Sequence, residues 1–252
     1  MKTVLAMNGS PRGKRGNTDK ILQPFLDGMR DAGAKVEMLY LKDLAIAECR
    51  GCYTCQMITP GECVIKDDMD WIVGEMLKAD VMVFATPLYV FTVTALMKAF
   101  MDRMIVLGDL KLIYVDGLSA HPPLHADKKW EWVLISNAGF PERVQFTALE
   151  ETFRKFAWAI GGGTHAKLAG SILKGMGEIL TVKQLIPEFQ WFFDACRKAG
   201  SEVINKGSIS SETQAVLDRP FLDLPPEELV RVCNHFIEKA TKVLREKGSA
   251  QK

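Results

Sequence analysis

Residues 8–20, "NGSPRGKRGNTDK", decide how the rest of the chain is read. They hold three glycines and four basic side chains in thirteen positions. Ahead of them, "KTVLAM" (residues 2–7) is short, apolar and closed by Asn-Gly, the marks of a buried strand. Behind them, Ile21, Leu22, Phe25, Leu26 and Met29 recur at three- and four-residue spacing, which puts them on one face of a helix. In a parallel sheet a strand-to-helix loop lies at the carboxyl edge, where the unpaired first amides of the helix point outward and ligands bind.

The same alternation continues downstream. Residues 34–41 and 80–87 read as a second and a third strand, the latter almost wholly apolar. Between them Asp67 or Asp68 caps a helix running to about Lys78, with Met69, Ile72, Val73 and Met76 facing inward. A helix over about 94–107 presents Leu96, Met97, Phe100, Met101 and Met104, and residues 130–139 form a fourth strand ending in turn residues. A helix over about 146–159, a "GGG" stop, a fifth strand near 166–173 and a helix near 182–200 follow. The pattern predicts an α/β fold: a doubly wound five-stranded parallel sheet with helices on both faces, in the flavodoxin-like order 2-1-3-4-5.

At 252 residues, 48% hydrophobic and 25% charged, residues 1–252 are expected to form a single domain. Two parts exceed a minimal version of the fold. Residues 108–129 contain "SAHPPLH" and form a long insertion before strand four, of the kind used as a lid, an interface arm or a disordered segment. Residues 208–252 form a helical extension. In it "SSETQ" offers a cap through Ser211 and Gln214, Pro220 limits that helix, and Leu229, Val232, Phe236, Val243 and Leu244 mark a core-covering helix over about 226–246. A net charge of +1 gives no electrostatic reason to expect nucleic acid or a membrane surface as partner. The N-terminal apolar run is shorter than the ~7–15 residues of a secretory core, and no run approaches the ~18–20 of a membrane helix, so the protein is expected to be cytoplasmic.

The loop suits a phosphate. Gly13 and Gly16 let the backbone curl closely, Ser10 and Thr18 offer hydroxyls, Asn17 an amide and Arg12 a charged fork. A Walker loop is excluded because Asn17 and Thr18, with no lysine, follow Gly16, and a Rossmann fingerprint fails at Pro11. A monophosphate such as that of FMN remains, against the plainer reading of a solvated Gly/Arg-rich turn.

Four of the six cysteines lie in a loop over 45–66, spaced Cys49-x2-Cys52-x2-Cys55-x7-Cys63. In a reducing compartment they are read as free, catalytic or metal-bound rather than as disulfides. Structural zinc more often uses two Cys-x2-4-Cys pairs far apart, whereas a compact triple run is closer to iron–sulfur ligation. Cys196 and Cys233 fall on predicted helices and read as small core residues. Pro122 and Pro123 forbid the helix that would align His121 and His125 on a metal, His165 and His235 lack a pattern that names a role, and helix capping accounts for Asp67 and Asp68 without chemistry.

These motifs together resemble a known family. "GSPRGKRGNT", "CRGCYTCQMITPGECVIKDDM" and "ATPLYVFTVTALMKAFMDR" are similar to three segments of the NADPH-dependent FMN reductase family, flavodoxin-like in fold, over residues 1–103. The resemblance implies that Ser10, Arg12, Asn17 and Thr18 hold the FMN phosphate, and that Pro87, Leu88, Tyr89 and Val90 wall the isoalloxazine on one side and Asn137, Ala138, Gly139 and Phe140 on the other. The cysteine spacing resembles the iron-sulfur flavoprotein branch, which implies a 4Fe-4S cluster on Cys49, Cys52, Cys55 and Cys63. The function implied is electron transfer in which the flavin carries the chemistry and no side chain acts as catalyst. Ferredoxin would serve as a one-electron donor, and the chains would form a homodimer or homotetramer. Two alternatives stand beside it: an NAD(P)H-dependent FMN or quinone reductase with free cysteines, and a zinc-stabilised module that binds a phosphate ligand without redox turnover.

Overall fold

In the computed structural model, which describes residues 1–249, the chain begins with strand β1 (Thr3–Asn8), helix α1 (Asn17–Asp31) and strand β2 (Lys35–Tyr40). A short helix α2 (Thr54–Met57) and helix α3 (Met69–Lys78) lead to β3 (Val81–Pro87) and α4 (Ala95–Arg103). A hairpin, β4 (Ile113–Val115) and β5 (Leu118–Ala120), precedes β6 (Trp130–Asn137), α5 (Thr147–Ala159) and β7 (Ala166–Lys174). Helices α6 (Gln190–Lys206), α7 (Ser211–Leu217) and α8 (Pro226–Ser249) follow. The main sheet runs β2-β1-β3-β6-β7, every neighbour parallel, which is the expected order 2-1-3-4-5.

Both faces of the sheet are covered, so its central strands carry continuous apolar runs that split by alternation. Leu5, Met7, Met82, Phe84, Trp132 and Leu134 pack with α3, α4 and α5. Val4, Ala6, Val81, Val83, Val133 and Ile135 pack with α1 and α6. Helices α1 and α6 approach closely enough that a Cβ at Gly28 would sit 1.8 Å from the Arg197 carbonyl oxygen, and one at Gly200 2.0 Å from that of Phe25. This contact fixes the helix that follows the glycine loop against the sheet, and so fixes the loop.

The structure departs from the sequence reading in four places. The helix expected near 182–200 is instead two 3-10 segments, Gly177–Thr181 and Lys183–Phe189, with α6 starting only at Gln190, because Pro187 lacks an amide proton and resists helix interior. The 108–129 insertion is ordered: Asp116 and Gly117, at φ 48° and 83°, make the two-residue turn that joins β4 and β5. It is pinned to the body by His121, whose amide donates to the Ala159 carbonyl while its own carbonyl accepts from Gly161. Helix α7 is capped by Ser210, whose hydroxyl accepts from the Thr213 amide, rather than by Ser211. Finally, α8 covers the core only with its first turns. Leu229, Val232 and Cys233 pack against it, whereas Val230, Ile237 and Val243 are exposed, and the Leu244 side chain lies outside the described residues.

Candidate functional site

The loop after β1 is a closed curl. Asn8 organises it from both ends of its amide: Oδ1 accepts from the Ser10 amide (2.8 Å) and Nδ2 donates to Asp19 (3.1 Å). The Gly13 amide donates to the Ser10 carbonyl and the Gly16 amide to that of Gly13, both at 2.9 Å. Gly13 holds φ 51°, and a Cβ on Gly16 would lie 2.7 Å from the Ser10 hydroxyl, so the curl needs glycine at both positions. Helix α1 begins directly after it with Gly16 as N-cap, which supplies no side-chain acceptor to the first amides. Ser10, Asn17 and Thr18 are buried, while Arg12, Lys14 and Arg15 are exposed around the rim.

Asn17 is the anomaly. Both its Nδ2 and its Oδ1 are buried with no hydrogen-bond partner. A buried carboxamide is nearly always paired, and leaving it unpaired costs about 1–3 kcal/mol per group. At the N-terminus of a helix, beside amides that also lack side-chain partners, this amide is set up to meet a ligand. Around it the loop is firm. The Tyr40 hydroxyl donates to Asp19 (2.9 Å), and burial together with that carboxylate raises the phenol to about 12, so it stays a donor. Burial, helped by Arg12, lowers Lys20, whose ammonium donates to the Leu180 carbonyl at 2.7 Å.

Three strand ends are tied into one crevice. Thr18 donates its hydroxyl proton to Asn137 Oδ1 at 2.7 Å, joining the loop to the end of β6. Thr94 caps α4 by accepting from the Met97 amide and donates to the Gly9 carbonyl at 2.7 Å, joining the loop to the segment after β3. The Leu88 amide donates to the Asn137 carbonyl. Beyond Leu88 the chain makes a two-residue turn in which Tyr89 and Thr92 exchange both backbone hydrogen bonds, with Val90 and Phe91 at φ 48° and 62°. Such a turn favours Asn-Gly; a β-branched and an aromatic residue there store strain of the kind found at functional sites. The strained turn holds Val90 almost fully exposed and stacks Phe91 on Phe140, ring centroids 5.9 Å apart and planes at 11°. Tyr89, Phe91 and Phe140 thus form an exposed aromatic ledge beside the loop's crevice.

All four clustered cysteines are free thiols: Cys55 is buried, Cys49 and Cys63 are half-buried, and Cys52 is exposed. Tyr53, Gly51 and Gly61 take left-handed backbone angles, which coil the segment around the short helix α2. Burial pushes the Cys55 thiol up, and the neighbouring Cys63, Cys49 and Cys52 add to the rise, so Cys55 lies within electrostatic reach of the other three. A hydrogen bond with Thr54 lowers the Cys52 thiol. Among the described residues no three of His, Cys, Asp or Glu are gathered closely enough to hold a metal ion. Asp67, expected only to cap a helix, does accept from the Met69 amide, but it also forms a buried ion pair with Arg103 at 2.7 Å.

Comparison with known proteins follows the same division of the chain. Residues 2–120, which contain both loops, match the family of NADPH-dependent FMN reductases. Over 144 residues the chain is 41% identical to an iron-sulfur flavoprotein of Archaeoglobus fulgidus, covering 57% of this chain and 59% of that protein. An FMN-dependent NAD(P)H:quinone oxidoreductase of Pseudomonas aeruginosa is 26% identical over 139 residues, covering 51% of this chain and 66% of that protein. The chain spans between about two fifths and three fifths of the length of the iron-sulfur flavoproteins it matches. The solved NAD(P)H:quinone oxidoreductase of Methanothermobacter marburgensis shares the fold, with a TM-score of 0.57 at 17% identity over 80% of this chain and 98% of that one.

Where these strand ends meet, Ser10, Asn17, Thr18, Pro87, Asn137 and Ala138 are buried and Leu88 is half-buried, while Arg12, Tyr89, Val90, Gly139 and Phe140 are exposed. The reading from sequence passed over Asn8, Thr94 and Phe91. Asn8 and Thr94 could have been found, since each directly follows a strand end or precedes a helix where a short polar side chain bonds backbone. Nothing in the sequence announced that Phe91 would stack on a residue forty-nine positions away. His121 and His165 are occupied by the Lys111 and Ala126 carbonyls, in keeping with loop roles.

Proposed function

We propose that this chain is an FMN-dependent oxidoreductase whose glycine loop holds the FMN phosphate and whose cysteine loop carries a 4Fe-4S cluster. The observation that carries the first half is the unpartnered Asn17 carboxamide at the N-terminus of α1. Ser10, Asn17 and the first amides of α1 supply donors for a dianionic phosphate, and Arg12 adds a mobile positive charge at the rim. Thr18, whose proton is given to Asn137, fixes the loop against the flavin wall. Pro87, Leu88, Asn137 and Ala138 line the crevice, and Tyr89, Val90, Gly139 and Phe140 form its lip. FMN, when bound, supplies both hydride and single-electron chemistry, so the protein's part is placement and exclusion of water rather than acid–base catalysis.

For the second half, the donor set is right for iron: four thiols on one coiled loop, with Cys55 sensing the other three. Holding a cluster requires that loop to draw its sulfurs together. The names of the relatives support this reading, which makes the chain a converter between a one-electron donor such as ferredoxin and an acceptor at the flavin, in a homodimer or homotetramer. A second reading, NAD(P)H-dependent quinone reduction without a cluster, is favoured by the Pseudomonas relative and by the exposed aromatic ledge, which suits a planar ring.

Anaerobic purification with a visible spectrum and analysis for iron, sulfide, zinc and flavin separates them. Brown protein with about four irons and one FMN per chain supports the cluster reading. Yellow protein without iron supports the quinone reductase, and colourless protein containing zinc contradicts both.

A further inference from the structure

Helix α4 connects the two candidate sites. Its N-cap, Thr94, grips the glycine loop through the Gly9 carbonyl, and its last residue, Arg103, reaches the cysteine loop. The Arg103 side chain is 1% exposed, and each of its hydrogen bonds ends on that loop. Nη1 donates to the Ala47 carbonyl (3.0 Å) and to Asp67 Oδ2 (2.7 Å), and Nη2 donates to the Ile65 carbonyl (3.3 Å) and Asp67 Oδ1 (3.1 Å). Asp67 in turn accepts from the Ala47 and Met69 amides. One planar guanidinium therefore closes the segment that contains all four cysteines, from residue 47 to residue 67. It also lines one cavity together with Cys63. A buried arginine is costly unless every donor is used, and a helix-ending arginine at the surface would need no such neighbours.

We propose that Arg103 is the positioning residue of the cysteine loop: its fork fixes both ends of the loop and turns Cys63 toward the other three sulfurs. This rests on the metal reading for its purpose, though not for its geometry. Lysine cannot replace it, because a single ammonium cannot span Ala47, Ile65 and both oxygens of Asp67.

The test uses the full chain with FMN bound, as wild type, Arg103→Lys, Arg103→Gln and Asp67→Asn. The first readout is hydrogen exchange at the Ala47 and Met69 amides of iron-free protein, with the rate of Cys63 alkylation by iodoacetamide beside it. The second is iron bound per FMN after anaerobic reconstitution with ferrous iron and sulfide. Arg103→Lys and Arg103→Gln are each expected to speed exchange at both amides by about tenfold or more, to change Cys63 alkylation severalfold, and to lower iron per FMN while leaving FMN content near one. Asp67→Asn keeps the arginine and should give the same pattern in weaker form. Unchanged exchange and alkylation in all three variants overturn the proposal. If wild type binds no iron, the cluster reading fails, and the exchange and alkylation results still decide the role of Arg103. Should Arg103→Gln not fold, Asp67→Asn and Arg103→Lys carry the same decision.

Discussion

Replacing Asn17 by leucine is predicted to stabilise the FMN-free protein while weakening FMN, two effects of opposite sign from one side chain. Leucine has nearly the same shape as asparagine but carries no polar atoms. In the free protein the substitution removes two buried groups that have no partner, each of which costs about 1–3 kcal/mol. Allowing for imperfect packing of the new methyls, a gain of about 2 kcal/mol is expected. Unfolding entropy near 2.1 cal/mol/K per residue gives a chain of 252 residues about 0.5 kcal/mol per degree, so Tm should rise by about 4 °C. With FMN present the sign reverses. Hydrogen bonds to a charged phosphate contribute about 1.5–3 kcal/mol each, and losing one or two raises the FMN Kd by about a hundredfold. The assay is thermal unfolding of flavin-free protein with and without saturating FMN, together with an FMN titration by flavin fluorescence. A leucine variant that is less stable without FMN and binds it within twofold of wild type refutes the reasoning.

Further predictions concern the frame around the site. Gly28→Ala and Gly200→Ala each force a methyl to within about 2 Å of a backbone carbonyl between α1 and α6, and each should cost about 3 kcal/mol in urea unfolding; a loss below about 0.5 kcal/mol contradicts the packing. Lys174, with its ammonium against the Leu217 and Arg219 carbonyls and over Trp191, Phe192 and Phe221, is lowered to about 8, chiefly by burial. Between about pH 8 and 10.5 the unfolded chain keeps a proton that the folded one has released, so folding stability gains up to about 3 kcal/mol over that window, and Lys174→Met abolishes the gain. Cys196, Asp218 and Arg219 are the other titratable neighbours, and equal pH dependence of wild type and variant excludes the effect. Val90→Gly relaxes a β-branched residue from φ 48° and should raise stability by about 1 kcal/mol without altering the sheet; a loss of stability means the turn is not strained.

The fold was legible because its signals are local and periodic. The all-apolar run of β3 and the three- and four-residue spacing in α1 each name their element without reference to the rest of the chain. The glycine loop was legible for the same reason: Gly13 needs a left-handed angle and Gly16 a close neighbour, and only glycine meets both. What could not be read are the long-range partnerships. Arg103 lies thirty-six residues from Asp67, and no pattern marks it as an internal clamp rather than a surface charge at a helix end. Thr18 looks like a phosphate ligand, while its proton goes to Asn137 on the far side of the sheet order. The insertion was read from its length alone, when Asp116-Gly117 is a strong hairpin signal. For α8 the helical spacing was right, yet amphipathicity alone does not say whether a core lies beneath the whole face.

The central claim is that the curl from Ser10 to Thr18 holds the phosphate of FMN. A crystal structure of the protein grown anaerobically with FMN tests it most directly. The account predicts the phosphate within hydrogen-bonding distance of the Asn17 carboxamide and the first amides of α1, with the ring between the ends of β3 and β6. FMN found elsewhere, with the Asn17 carboxamide still unpaired, contradicts it.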